Sequence, residues 1–163
     1  MEDGGGWVDD RELTWACWEL RGTIENEKLP LAERDAAAAK IEQLAQTGDA
    51  YAQYFLGLLY RDGGLLIPDT EKAKHWLERA AKQEVHAAQY ALGRLFLSDD
   101  PDVYDPSEGI RWMKAAAQNG NDYAAYILGE EYLSGKHVVK NSGTAAEYMH
   151  QAAQADNPWA QYL

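Results

Sequence analysis

Ala52-Gln53-Tyr54 returns along the chain at a fixed interval of 36 residues. The later copies are Ala88-Gln89-Tyr90, Ala124-Ala125-Tyr126 and Ala160-Gln161-Tyr162. A strict period between about 20 and 50 residues indicates a repeat architecture, in which each unit buries its apolar face against its neighbours. Such stacks mostly present surfaces for binding, so the period also favours a binding function over catalysis.

Further positions keep the same period. The register holds Leu56-Gly57, Leu92-Gly93 and Leu128-Gly129, then Tyr60, Phe96 and Tyr132, then Trp76, Trp112 and Tyr148. Within each block the apolar residues are three or four apart, as on one face of a helix. Each repeat therefore reads as a helix A, a loop and a helix B. A glycine at the same place in three repeats predicts a close approach of two helices, since glycine otherwise weakens a helix.

Start and stop signals predict the helix boundaries. We expect A helices near 49–61, 85–97 and 121–133, and B helices near 70–82, 106–118 and 142–154. Asp105-Pro106-Ser107-Glu108 supplies an N-cap, a proline at the first helical position and an acid in the first turn. Gly48 and Gly120 suit the left-handed residue that ends a helix. Glu84 occupies that position in the middle repeat, so we expect a different or strained turn there.

The predicted fold is an all-α superhelix of antiparallel helix-turn-helix repeats. The ranges are a disordered leader over 1–8, a degenerate capping helix pair over 9–46, repeats over 47–82, 83–118 and 119–154, and the truncated start of a further repeat over 155–163. In the capping pair, Arg21 stands where the repeats have glycine. The last range stops within a repeat, so we expect either a piece of a longer repeat protein or a last turn docked on its neighbour.

Composition limits the classes of partner. The 163 residues carry 27 acidic and 15 basic side chains, for a net charge of −12. This charge repels phosphate groups, which argues against direct binding to nucleic acid or to anionic membranes. The acidic start lacks the features of a secretory signal, which favours the cytoplasm. Cys17 has no cysteine to pair with, so we expect a small buried residue in a reducing compartment.

These repeats resemble the Sel-one-like repeat (SLR) family, a branch of the tetratricopeptide-like (TPR-like) superfamily. The residues that carry the resemblance in the first repeat are Ala52, Leu56-Gly57-Leu58-Leu59-Tyr60, Gly63-Gly64, Asp69, Lys72-Ala73, Trp76 and Ala80-Ala81. The resemblance covers about 47–163. It implies an adaptor that assembles other proteins. Bacterial members of the family often lie within larger proteins, including signalling and conjugation proteins.

Aromatic residues recur on the A helices and are the best candidates for a binding site. One column holds Trp18, Tyr54, Tyr90, Tyr126 and Tyr162. A second, one turn earlier, holds Trp15, Tyr51, Ala87, Tyr123 and Trp159. Tyrosine and tryptophan are favoured as binding anchors, so we predict a ladder that faces a concave groove. The alternative is that these rings pack between repeats. We expect Gln53, Gln89, Arg94 and Glu130 to add polar contacts in the groove, or else to form a solvated face.

Catalytic and metal-binding signals are weak. The four histidines match no ligand spacing, and the Asp99–Asp105 loop lacks the glycine and glutamate of a calcium loop. We therefore predict a non-catalytic module, without metal or cofactor, that binds a peptide or protein partner in the concave groove. One alternative is a structural or regulatory segment of a larger bacterial protein, such as a conjugative relaxase, without a ligand of its own. A remote alternative, by family resemblance, is a hydrolase of the β-lactamase-like SLR type.

Overall fold

The structure, a computed structural model, describes residues 15–154, which contain eight helices and no strand. The helices are α1 over 15–25, α2 Leu31–Gln46, α3 Ala50–Asp62, α4 Thr70–Lys82, α5 His86–Phe96, α6 Pro106–Gln118, α7 Asp122–Ser134 and α8 Ser142–Gln154. The all-α class and the helix-loop-helix repeat are therefore confirmed. The predicted leader over 1–8, the start of the capping pair and the range 155–163 lie outside the described residues.

The chain forms two compact units, Met1–Gln83 and Glu84–Leu163. In the first unit, α3 packs against both α2 and α4. Ile41, Leu56 and Trp76 are buried in its core, and Cys17 of α1 joins the same cluster. The helix pair α1–α2 is thus present where a capping pair was predicted, while its capping role stays a prediction.

The second unit repeats this arrangement with different side chains. Here α6 packs against α5 and α7, and α7 packs against α8. Met113 and Leu128 are fully buried in a core that alanines complete. The small alanine side chains allow the helix backbones to lie close together, so that many atoms are in van der Waals contact.

The glycines of the repeat register lie at close helix contacts, as predicted. A Cβ on Gly57 would lie 2.7 Å from Leu77 Cγ, and one on Gly129 would lie 2.7 Å from Met149 Cε. A Cβ on Gly93 would lie 3.0 Å from Met113 Cγ and 3.1 Å from the backbone oxygen of Gly109. Glycine is therefore favoured at this register in the three repeats, because helix B of the same repeat occupies the space of a side chain.

Side-chain caps start most helices, and one turn between repeats is unusual. The capping residues are Asp49, Asp69, Asp105, Asn121 and Asn141. Gly48 and Gly120 have φ of 109° and 92°, as expected for helix-ending glycines. Glu84 adopts φ 65° at the equivalent place, so of the two expected outcomes, a different turn or a strained one, the structure has the left-handed, strained one. Its carboxylate accepts hydrogen bonds from Asn119 Nδ2 at 2.9 Å and Gln89 Nε2 at 3.1 Å.

Candidate functional site

Aromatic side chains lie exposed on two helices of the first unit. On α1, Trp15 and Trp18 are 67% and 66% exposed, and on α3, Tyr51 is 50% exposed, with Tyr54 half-buried. Each pair is three residues apart and so shares one side of its helix. Large apolar rings that remain exposed together are typical of interaction surfaces.

A cleft of about 160 Å³ opens among these rings, and we call it the aromatic cleft. Its lining residues are Cys17, Trp18, Arg21, Tyr51, Tyr54 and Phe55. Trp15 lies one turn before Trp18 and is not among them. A space of roughly 150 Å³ is enough for a benzene ring. The aromatic cleft therefore has the size of one phenyl or branched aliphatic side chain.

The thiol of Cys17 lies at the cleft and stays protonated at neutral pH. Its side chain is buried, and Sγ donates a hydrogen bond to Asp49 Oδ2 at 3.2 Å. Burial, together with the Asp49 carboxylate, raises the pKa of the Cys17 thiol to about 12. Asp49 also accepts from the backbone N–H of Tyr51 and thus starts α3. Cys17 therefore helps to hold α1 against the start of α3, in agreement with the predicted buried role.

Arg21 is the charged side chain among the described residues that line the aromatic cleft. Its guanidinium carbon lies 5.0 Å from the ring centroid of Phe55 and 5.8 Å from that of Trp18. Its Nε pairs with Glu25 Oε1 at 2.9 Å. Arg21 was not among the predicted site residues, although its place at the glycine position of the register was a visible signal.

The second unit has a tyrosine cluster formed by Tyr90, Tyr123 and Arg94. The rings of Tyr90 and Tyr123 lie 6.0 Å apart, and Arg94 Nη1 donates to the Tyr90 hydroxyl at 3.3 Å. Tyr126 is half-buried on the same helix as Tyr123, and burial, with the charge of Glu130, raises the pKa of its hydroxyl. The predicted residues Arg94 and Glu130 are exposed, as a binding role requires.

The prediction that Gln53 and Gln89 line the groove or a solvated face is wrong, because both side chains are only 1% exposed. Gln53 Nε2 donates to the Ala45 carbonyl at 3.0 Å, and its Oε1 accepts from Gln83 Nε2 at 2.8 Å. Gln89 Oε1 accepts from Asn119 Nδ2 at 3.0 Å. One residue along a helix turns the side chain by about 100°, so the residue before each tyrosine points inward. These glutamines join neighbouring helices inside each unit and do not line an exposed groove.

The described residues show few features of a metal site or of a membrane-spanning segment. Between residues 15 and 154, no group of three or more His, Cys, Asp and Glu side chains is placed to hold a metal ion. None of the helices described there is long and apolar enough to cross a membrane. His137 lies in the loop before α8, and its Nδ1 lies 2.9 Å from Oε2 of Glu131, a residue of α7. Trp159 and Tyr162, the last residues of the two aromatic columns, lie outside the described residues.

Comparison with known proteins agrees with this architecture. The chain is similar to a Sel1 repeat protein from Oxalobacter formigenes, at 32% identity and a TM-score of 0.70 over 77% of this chain and 37% of that one. It is also similar to a protective antigen of uropathogenic Escherichia coli that displays an SLR fold, at 30% identity and a TM-score of 0.68. That match covers 72% of this chain and 25% of the antigen. This chain therefore spans well under half the length of either relative.

A more distant likeness supports the fold alone. Cysteine-rich protein B of Helicobacter pylori matches at 19% identity and a TM-score of 0.63, over 78% of this chain and 92% of that protein. A search of the curated proteins found no match. The profile of the Sel1 repeat matches residues 50–85, 86–121 and 122–157 in direct succession. The chain thus belongs to the Sel1, or Sel-one-like, repeat family, whose repeats form an α-α solenoid.

Proposed function

We propose that this chain is a protein-interaction module whose first unit binds a peptide or protein segment at the aromatic cleft. The observation that carries the proposal is the cleft itself, with exposed Trp18 and Tyr51 as walls and a volume of about 160 Å³. Sel1 repeats typically mediate protein–protein interactions and are generally non-catalytic, which agrees with such a role. The proposal assigns binding to one cleft of the first unit, whereas the concave groove predicted from the sequence stays a prediction.

The cleft suits an anchor side chain on physical grounds. Trp18 and Tyr51 are large side chains with few rotatable bonds, so little conformational entropy is lost when a partner covers them. Both stand on helices that a buried core supports, and the Cys17–Asp49 contact joins these two helices. A preformed site of this kind binds more tightly than one that must be ordered on contact.

Display of random peptides against the purified full chain tests the proposal. We expect enrichment of peptides that carry a phenylalanine-, leucine- or similar-sized residue, and their affinity is then measured by fluorescence anisotropy. Trp18→Ala combined with Tyr51→Ala removes both walls and is expected to abolish binding of the selected peptides. Tyr104→Ala is the matched control, because Tyr104 is 48% exposed but does not line the cleft.

Two results would contradict the proposal. The first is selection of peptides whose affinity is the same for the wild-type chain and for the Trp18→Ala/Tyr51→Ala variant. The second is a uniform loss of binding in which the Tyr104→Ala control is affected as strongly as the double variant. Far-UV circular dichroism and the unfolding midpoint of each variant show whether its helices remain folded.

A further inference from the structure

We infer that the segment bound at the aromatic cleft carries an acidic side chain next to its apolar anchor, and that Arg21 recognises that carboxylate. The inference rests on the proposed function, since it names the chemistry of the partner at the same cleft. Among the lining residues that fall between 15 and 154, Arg21 is the one with a charged side chain. A cation in this place runs against the net charge of the chain, which is −12.

The setting of Arg21 prepares it for a carboxylate. The ring of Phe55 lies 5.0 Å from the guanidinium carbon and supports it, while Nε donates to Glu25 Oε1 at 2.9 Å. A guanidinium has five N–H donors, of which this ion pair engages the one on Nε. The Nη donors can bind a carboxylate with two parallel hydrogen bonds, which is a strong and directional contact. The aromatic walls strengthen it by lowering the local dielectric constant.

A basic or a purely apolar partner fits the cleft less well. A lysine or arginine of the partner would be repelled by Arg21 at short distance. The faces of Phe55 and Trp18 also already lie near the Arg21 guanidinium, so a second cation gains little from these rings. An apolar segment without an acid would cover the Nη donors of Arg21, which the Glu25 ion pair does not engage, and removing them from water costs binding free energy.

Three small probes that share one ring isolate the effect of charge. We would titrate the full chain with 3-phenylpropionate, 3-phenylpropanol and 3-phenylpropylamine and follow the indole N–H signal of Trp18 by NMR, assigned with Trp18→Phe. We expect the carboxylate to bind about tenfold more tightly than the alcohol, as one charge-assisted pair allows. We expect the amine to bind more weakly than the alcohol.

Variants separate Arg21 from the rest of the cleft. Arg21→Met keeps a long stem against Phe55 and is expected to abolish the preference for the carboxylate while alcohol binding persists. Glu25→Gln removes the competing carboxylate and is expected to increase 3-phenylpropionate affinity about threefold, roughly 0.7 kcal/mol. Arg79→Met is the matched control, since Arg79 also stacks on a tryptophan, Trp76 at 4.9 Å, but does not line the cleft.

Peptide probes identify the source of the carboxylate. Acetylated and amidated peptides that contain Phe-Glu, Phe-Gln or Phe-Lys lack terminal charges, and we expect the Phe-Glu peptide to bind most tightly. Equal affinity of the acid and the alcohol, or a requirement for a free C-terminal carboxylate, would overturn the inference and leave the proposed function intact. If none of the probes shifts the Trp18 signal, the cleft is not an anchor site and both proposals fail.

Discussion

The aromatic cleft of the first unit and the tyrosine cluster of the second unit are built from register-equivalent pairs. Trp18 with Tyr51 corresponds, two repeats later, to Tyr90 with Tyr123. Tyr51 and Tyr123 are exposed to a similar extent, 50% and 46%. In the first unit the pair borders an open cleft, whereas in the second the two rings face each other at 6.0 Å.

The two surfaces also differ in the position of one arginine. Arg21 stands at the glycine position of the register and lies over Phe55. Arg94 stands one residue later in the register and donates to the hydroxyl of Tyr90. A shift of one residue turns a helical side chain by about 100°. Arg21 accordingly lines the cleft, whereas Arg94 contacts the side chain of Tyr90. Equal spacing in a repeat therefore does not ensure equal surfaces.

The largest expected effect tests this contrast directly. Trp18→Ala with Tyr51→Ala should weaken a display-selected peptide by more than about 100-fold, because two aromatic anchors are lost. Tyr90→Ala with Tyr123→Ala should change its affinity by less than about threefold. Isothermal titration calorimetry of both double variants measures the difference. Equal losses would mean that the two aromatic regions act alike.

The glycine contacts of the two units should differ in tolerance. Gly57→Ala should destabilise the chain by about 2 kcal/mol, because its Cβ would meet the branched carbon of Leu77. Gly129→Ala should cost less, since the atoms that its Cβ would meet, Cε, Cγ and Sδ of Met149, belong to an unbranched and flexible side chain. Gly22→Ala meets no atom within 4 Å and should stabilise α1 by about 0.5–1 kcal/mol. Urea unfolding followed by circular dichroism ranks the three variants, and a loss of stability in Gly22→Ala would contradict this account.

The turns that precede α3 and α5 provide the next contrast. Gly48→Ala should cost about 1–2 kcal/mol, because alanine is strained at φ 109°. Glu84→Gly should be nearly neutral, since relief of the left-handed strain offsets the loss of the hydrogen bonds from Asn119 and Gln89. Thermal unfolding of both variants checks the prediction. A strong destabilisation in Glu84→Gly would show that its carboxylate contributes more than its backbone costs.

The smallest effect concerns the pH dependence that Cys17 adds to the first unit. The thiol keeps its proton in the folded state up to a pKa of about 12, against an ordinary value of 9.0. Between these values the unfolded chain binds fewer protons than the folded chain, so stability falls as pH rises. Cys17→Ala should flatten this slope, measured as urea midpoints at about pH 8 and about pH 10.5. An unchanged slope would show that Cys17 does not titrate differently in the two states.

Local signals predicted most of the fold. The helix expected near 142–154 is Ser142–Gln154, and the one near 106–118 is Pro106–Gln118. Such boundaries follow from caps and backbone hydrogen bonds within a few residues, which a single sequence displays. The site was harder, because Gln53 and Gln89 looked like surface residues and Arg21 like a simple loss of glycine. Whether a side chain is buried depends on which residues of a neighbouring helix lie against it, and the spacing of residues along one helix does not give that information.

The period of 36 residues, read from the sequence alone, determined the repeat family, the helix pairs, the glycine contacts and the strained turn at Glu84. The helices and the turn at Glu84 depend on φ and helix periodicity within short segments, and the glycine contacts recur because the same helix pair is repeated every 36 residues. Only the tertiary structure decided that Trp18, Arg21 and Tyr51 surround a cleft while Tyr90 and Tyr123 face each other. That outcome depends on distances between side chains of different helices, which are set when the helices pack.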